Sequence, residues 1–136
     1  MTVRWTHVTI TVSNFERSIE FYTSFCGLSV LRDRRREGGG TVWLGPVPPA
    51  GEDPTFILVL SEGEVTDRID HFGFQCESQE QVNSIAAEAR RAGILLHPPK
   101  DSGGAVGYWT IINDPDGHGV EFTFGQPLKG LNSGAV

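Results

Sequence analysis

Strict alternation of polar and apolar residues marks the segment 6–12. Valine and isoleucine side chains fall on one side of this segment, and His7, Thr9 and Thr11 fall on the other. A period of two is typical of a β-strand that has one face against a core and one face that is polar. The pattern therefore predicts a first strand whose polar face carries His7.

The same alternation returns at 69–76, where His71, Gly73 and Gln75 share one face. The two histidines lie 71 − 7 = 64 residues apart, each near the start of an alternating strand. A single strand histidine is usually structural. Two in matching contexts indicate that the chain repeats itself and that His7 and His71 belong to one site.

Helix signals follow each alternating strand. Ser13 and Glu16 form a capping-box pattern, with Asn14 as a second candidate cap, and the segment 78–81 repeats that pattern with glutamine in place of glutamate. Apolar residues at helical spacing come next, and a glycine ends each stripe, at positions 27 and 93. Each half is thus predicted to contain one amphipathic helix.

Three further strands complete each predicted half. The sequence therefore predicts an α+β fold made of two tandem βαβββ modules, 1–62 and 69–125, in a single domain 1–125 with a loose tail at 126–136. We expect the two curved mixed sheets to form a half-barrel or barrel-like cavity with the helices outside. The further strands are expected at 28–32, 41–44, 55–60, 94–96, 108–113 and 120–124. The charged segment 32–37 is expected to be the solvated end of a hairpin, and the alternative is an anion-binding rim for a carboxylate or phosphate substrate.

Composition narrows the choice of partners. Eleven basic and 17 acidic residues give a net charge of −6, which argues against a nucleic-acid surface. The sequence contains no apolar run long enough to span a membrane, and its two cysteines do not form a disulfide framework. We expect a cytoplasmic protein whose partner is a small molecule.

The last predicted strand supplies a carboxylate. By alternation, Glu121 and Thr123 share the polar face, whereas the apolar residues between them suit the helix side. A carboxylate that points into a concave sheet is costly unless it is paired or bound to a cation. Two histidines and one glutamate form a typical open site for Fe(II), and they also suit Mn, Co, Ni or Zn. We therefore predict a divalent metal held by His7, His71 and Glu121.

Candidates for substrate contact come from the same faces. Thr9, Gln75 and Thr123 share the ligands' face, and Trp43 and Tyr108 are candidate aromatic walls, although strand aromatics are often core residues. No catalytic base can be assigned. The two remaining histidines are expected to be a structural turn residue at 118 and a loop residue at 97.

On these motifs the chain resembles the vicinal oxygen chelate superfamily. That superfamily includes glyoxalase I, extradiol dioxygenases, fosfomycin-resistance proteins and bleomycin-resistance proteins. The resemblance covers residues 4–124 and rests on His7, the segment 21–28, His71 and the segment 114–121. It implies that His7, His71 and Glu121 fall on the metal-ligand positions, and that the protein is a homodimer, as is common for members of this length.

One departure from the superfamily pattern affects the expected chemistry. Glyoxalase I carries a fourth ligand in the last strand of its first half, but the segment 55–60 here contains no acidic, amide or histidine side chain. The resemblance therefore implies a metal-dependent enzyme whose substrate chelates the metal, by dioxygenase, lyase, isomerase or fosfomycin-type thiol-transferase chemistry. The alternative is a bleomycin-resistance-like protein that sequesters a small molecule without catalysis. Neither the substrate nor the identity of the metal can be read from the sequence.

Overall fold

The fold is described from a computed structural model, which covers residues 2–127. Most of the predicted tail, 128–136, lies outside the described residues, and Gln126 and Pro127 belong to no helix or strand. The chain divides into two compact units at the boundary between Asp67 and Arg68. Each unit is described by itself.

The first unit is a four-stranded mixed sheet with one helix. The elements are β1 (His7–Val12), α1 (Phe15–Ser24), β2 (Ser29–Asp33), β3 (Thr41–Gly45) and β4 (Ile57–Glu62). The strand order is β1-β4-β3-β2, with β1 and β4 parallel and the other neighbours antiparallel. The βαβββ prediction is confirmed.

The second unit repeats this topology. The elements are β5 (Phe72–Gln75), α2 (Gln79–Arg91), β6 (Leu95–Asp101), β7 (Tyr108–Asn113) and β8 (Gly119–Phe124). The strand order is β5-β8-β7-β6, and β5 and β8 are the parallel pair. No helix among residues 2–127 combines the length and the apolar character that crossing a bilayer would require.

The first helix begins one residue later than its capping box predicts. Asn14 is the N-cap, because its backbone is extended and its side chain accepts a hydrogen bond from the Arg17 N–H at 2.9 Å. Ser13 instead accepts from the Arg17 guanidinium at 2.7 Å. Asn14 satisfies an unpaired N–H of the first turn, so the alternative cap is the one that the structure uses.

The second helix begins and ends as predicted. The Ser78 hydroxyl accepts a hydrogen bond from the Gln81 N–H at 3.1 Å. At the other end, Gly93 has a φ of +73°, and the N–H of Ile94 donates to the Ala89 carbonyl. This Schellman arrangement needs a left-handed residue, which explains the glycine.

The core of each unit lies between its sheet and its helix. In the first unit, Ile10 and Val12 are buried together with Tyr22, whereas His7 and Thr9 on the opposite face are exposed. The alternation of the sequence therefore predicts correctly which face is buried. In the second unit the buried apolar residues are Cys76, Val82, Ala86, Ala89, Ile112, Val120 and Phe122.

Both cysteines are free thiols, as the sequence predicts. Cys76 is buried at the end of the strand that follows His71, and burial raises the pKa of its thiol. Cys26 is half-buried and follows the C-terminal end of α1 in the chain. A raised pKa keeps the Cys76 thiol protonated near neutral pH, so it acts as a small apolar core residue.

One predicted boundary is wrong. The sequence predicts a strand at 94–96 followed by a loop at Pro98 and Pro99, but β6 continues to Asp101. The strand tolerates the two prolines because it is the outer strand of its sheet, and its pairing with β7 shifts on both sides of His97. His97 therefore lies in an edge strand and not in a loop.

Candidate functional site

The second unit brings two of the predicted metal ligands to one cavity. Parallel pairing of β5 and β8 places Gly73 opposite Glu121, and His71 immediately precedes β5. The absence of a side chain at Gly73 makes room for the carboxylate, because a methyl group there would lie 3.2 Å from the Glu121 Oε2. The cavity has a volume of about 260 Å³ and is lined by His71, Phe72, Gly73, Phe74, Gln75, Glu121, Thr123 and Gln126.

Glu121 is half-buried in this cavity. Among residues 2–127, no hydrogen bond or ion pair engages its carboxylate. Its carboxylate oxygens are not among the atoms that the protein fully encloses, so they are accessible to a cation, for which carboxylate oxygens are common ligands. The environment of Glu121 therefore fits the role of metal ligand.

His71 has one ring nitrogen engaged. Its Nδ1 lies 2.5 Å from the Asp70 Oδ1, and 44% of its side chain is exposed. A neutral imidazole donates its Nδ1–H to such a carboxylate, which leaves the lone pair of Nε2 available. This is the arrangement that orients metal-binding histidines in proteins.

The first unit contains the third predicted ligand. His7 is exposed, and its Nδ1 lies 2.9 Å from the Thr6 Oγ1. Thr6 precedes His7 as Asp70 precedes His71, so both histidines have a hydrogen-bonding neighbour at Nδ1. His7 belongs to a cavity of about 320 Å³ lined by His7, Thr9, Arg34, Thr41, Trp43, Ile57 and Val59.

Internal symmetry shows where a fourth ligand would lie. Thr9 pairs with Val59 as Gly73 pairs with Glu121, and Thr9 and Gly73 each lie two residues after a histidine. Val59 is therefore the counterpart of Glu121 in the first unit. The segment 55–60 lacks a ligand because an apolar side chain occupies the equivalent position.

The units divide the predicted ligands between them. His71 and Glu121 belong to the second unit and His7 to the first. No group of three His, Cys, Asp or Glu side chains within residues 2–127 is arranged to hold a metal ion. Neither unit alone thus contains the predicted triad.

Four of the five predicted substrate contacts lie in the two cavities. Thr9 and Trp43 line the cavity of the first unit, and Gln75 and Thr123 line that of the second. Thr123 is only 3% exposed, and its hydroxyl donates to the Val106 carbonyl at 3.2 Å.

Tyr108 lies apart from these residues. Its hydroxyl donates to the Asn83 Oδ1 of α2 at 2.5 Å, so its side chain is on the helix side of the sheet. Trp109 is the neighbour that shares the face of Glu121, because it pairs with Thr123 in β8. The structure does not bring Tyr108 together with the predicted ligands.

The remaining histidines differ sharply in burial. His118 is 1% exposed, and its Nδ1 accepts a hydrogen bond from the Ile69 N–H at 3.0 Å. His97 is exposed, and its ring lies edge-on to Trp109 with 5.9 Å between the centroids. His118 is thus a structural residue of its turn, as predicted.

Comparison with known proteins identifies the family. The sequence matches the Glyoxalase/Bleomycin resistance protein/Dioxygenase superfamily over residues 4–122. The chain belongs to this superfamily. The match includes His7, His71 and Glu121 and extends over both units.

Three members illustrate how far the likeness extends. An uncharacterized protein of Pseudomonas aeruginosa is 36% identical over 90% of this chain and 89% of its own length. Lactoylglutathione lyase GLX1 of Arabidopsis thaliana is 30% identical over 87% of this chain, which spans only 43% of that longer protein. A mutant of the fosfomycin resistance protein FosX of Listeria monocytogenes, complexed with Mn(II) and 1S,2S-dihydroxypropylphosphonic acid, shares the fold. Its TM-score is 0.69 at 17% identity, with 90% of each chain covered.

The sequence analysis does not single out four residues that lie beside the candidate ligands. Thr6 and Asp70 contact the histidines, Gly73 makes room for Glu121, and Arg34 lines the cavity of His7. A signal existed for the first two, because a hydrogen-bonding residue precedes each repeated histidine. Arg34 was part of a charged turn, and only the course of the backbone shows which of its arginines reaches the cavity.

Proposed function

We propose that this chain is a metal-dependent enzyme in which His7, His71 and Glu121 bind a divalent ion and a small oxygenated substrate. The observation that carries the proposal is the carboxylate of Glu121, which has no hydrogen-bond or ion-pair partner among residues 2–127, beside a histidine whose Nδ1 is engaged by Asp70. Three nitrogen and oxygen donors of this kind suit Fe, Mn, Zn, Ni or Co. When bound, the ion would supply Lewis-acid polarisation of two substrate oxygens.

The residues around the proposed ligands provide hydrogen-bonding groups and an apolar surface for the substrate. Thr9 and Gln75 offer hydrogen-bonding groups on the two ligand-bearing faces. Val59 and Trp43 give the substrate an apolar wall and exclude water from part of the cavity. With Val59 at the counterpart of Glu121, the protein contributes three ligands and leaves the other coordination positions to substrate.

A complete site requires the polar faces of both modules. We propose that the two modules act as one domain and that the protein is a cytoplasmic homodimer. Closure within one chain and closure across the dimer would place the same faces together. The assignment of ligands is the same in both cases.

A second candidate is a sequestering protein of the bleomycin-resistance kind, without turnover. The cavity of His7 favours it, because Trp43, Ile57 and Val59 form a mainly apolar surface suited to a flat molecule. In this case His7 and His71 would have no need of a metal. Metal binding therefore separates the two candidates.

The test is metal titration of the purified full chain after treatment with a chelator. We expect one Mn(II) or Fe(II) ion to bind per chain, that is, per pair of His7 and His71. The midpoint of thermal unfolding is expected to rise on addition of the ion, since binding to the folded state stabilises it. Absence of binding for Mn, Fe, Zn, Ni and Co would exclude the enzyme proposal and favour sequestration.

Asp70 provides a more specific prediction. Asp70→Ala is expected to weaken Mn(II) binding about tenfold, because loss of the Nδ1 partner leaves the His71 ring unoriented. The measurement is calorimetric titration of metal into the apo protein. Asp67→Ala is the matched control, since it removes the same charge three residues away; an equal loss in both variants would show a general charge effect.

A further inference from the structure

An arginine shares the cavity of His7. Arg34 directly follows β2, at the start of the turn, and it lines this cavity together with Trp43 and Val59. Its backbone is fixed, because its N–H donates to the Thr41 carbonyl at 2.8 Å and its own carbonyl accepts from Glu37 and Gly40. The backbone thus positions the positively charged side chain of Arg34 beside the mainly apolar surface of the cavity.

The guanidinium of Arg34 is held by three contacts. Its Nε donates to the Glu37 Oε2 at 3.2 Å, and its Cζ lies 5.6 Å from the centroid of the Trp43 ring. It also lies against Gly39, where a methyl group would come within 2.6 Å of Cζ. These contacts hold the planar group in place, and among residues 2–127 its two terminal nitrogens have no hydrogen-bond partner.

The charges around the turn are unevenly matched. Arg35 pairs with two carboxylates, those of Asp33 and Glu16, and its guanidinium lowers the pKa of Asp33 to about 2. Arg32 and Arg34 instead share the single carboxylate of Glu37. The excess positive charge therefore lies on the side of Trp43 and the cavity, in a chain whose net charge is −6.

We propose that Arg34 determines substrate specificity by binding an oxyanion of the substrate, a carboxylate or a phosphate-type group. The terminal nitrogens of a guanidinium match the two oxygens of such a group. The flat apolar part of the substrate packs on Trp43 and Val59. This inference rests on the proposed function, and it narrows the substrate to a small anionic molecule.

The test compares an acid with its neutral isostere. Benzoate, benzamide and phenylphosphonate are titrated into the full chain, and dissociation constants are taken from NMR signals, including the indole N–H of Trp43. We expect the wild type to bind benzoate about tenfold more tightly than benzamide, and Arg34→Gln to reduce that ratio below about twofold. Comparison of benzoate with phenylphosphonate shows which oxyanion Arg34 prefers.

Two further variants distinguish a direct contact between Arg34 and the probe from a general charge effect and from misfolding. Arg36→Gln removes the same charge from an exposed position of the same turn, and it is expected to keep the wild-type ratio. Gly39→Ala displaces the guanidinium without removing it and is expected to give an intermediate ratio, even if Arg34→Gln folds poorly. Equal binding of acid and amide by the wild type, a ratio that persists in Arg34→Gln, or an equal loss in Arg36→Gln would overturn the inference.

A negative result for Arg34 can be distinguished from the absence of metal binding. Benzoate and phenylphosphonate can themselves bind a metal ion through their oxygens, so the acid-to-amide ratio is measured in chelator-treated protein as well as with Mn(II). Arg34→Gln is expected to retain the wild-type affinity for Mn(II). A chain that discriminates acid from amide through Arg34 but binds no metal would contradict the enzyme proposal alone.

Discussion

Replacement of His71 by alanine is expected to lower Mn(II) affinity by more than about 100-fold while leaving the folded apo protein intact. Loss of a direct ligand exceeds the 10–100-fold cost that is usual for its outer partners. The side chain is 44% exposed, and its polar contact within residues 2–127 is Asp70. The free energy of unfolding without metal should therefore change by no more than about 0.5 kcal/mol.

His97→Ala is the matched control for this prediction. His97 is also an exposed histidine of the second unit, but it is not among the predicted ligands. The variant is expected to bind Mn(II) as the wild type does. Metal affinity retained in His71→Ala, measured by calorimetry, would remove His71 from the site, and unfolding of the apo variant would instead indicate a structural histidine.

His118→Ala is expected to destabilise the protein by about 2–4 kcal/mol. The ring is 1% exposed, and its Nδ1 accepts the Ile69 N–H. The substitution leaves both a cavity and a backbone donor without its acceptor, and these costs add. Denaturant unfolding of the apo protein measures the change.

The conservative variant His118→Asn tests that account. An asparagine oxygen can accept the Ile69 N–H in place of Nδ1, so about half of the lost stability should return. His97→Ala serves again as the control, with a change within about 0.5 kcal/mol. Equal destabilisation by alanine and asparagine would show that packing, and not the hydrogen bond, makes His118 important.

The periodicity of apolar residues and the positions of caps and glycines predict most of the fold. Alternation at 6–12 and 69–76 identifies the buried face of both first strands, and the repeat of strand, cap and glycine predicts the tandem topology. The error at β6 arises because two prolines normally end a strand, whereas an outer strand can accommodate them. Local rules do not reveal which strand is outermost.

The site is predictable only in part. Parity places Glu121 on the face of its histidine, since β-strand geometry fixes that relation. Tyr108 is a candidate because aromatic residues often line pockets, but its hydroxyl donates to Asn83 on the helix side of the sheet. Parity does not find Arg34, whose position depends on the path of a turn and on the space left by Gly39.

On the proposed function, the exchange of glutamate for valine between the repeats makes the two halves of the site chemically different. A duplicated site with a carboxylate in both halves would accept a substrate in two equivalent orientations. Here one sheet presents Glu121 and the other presents Val59 at the matching position. On the proposed function, the chelating oxygens of a substrate bind on the side of Glu121 and its apolar end packs on the side of Val59. The substrate is therefore bound in one orientation, which determines the end that reacts.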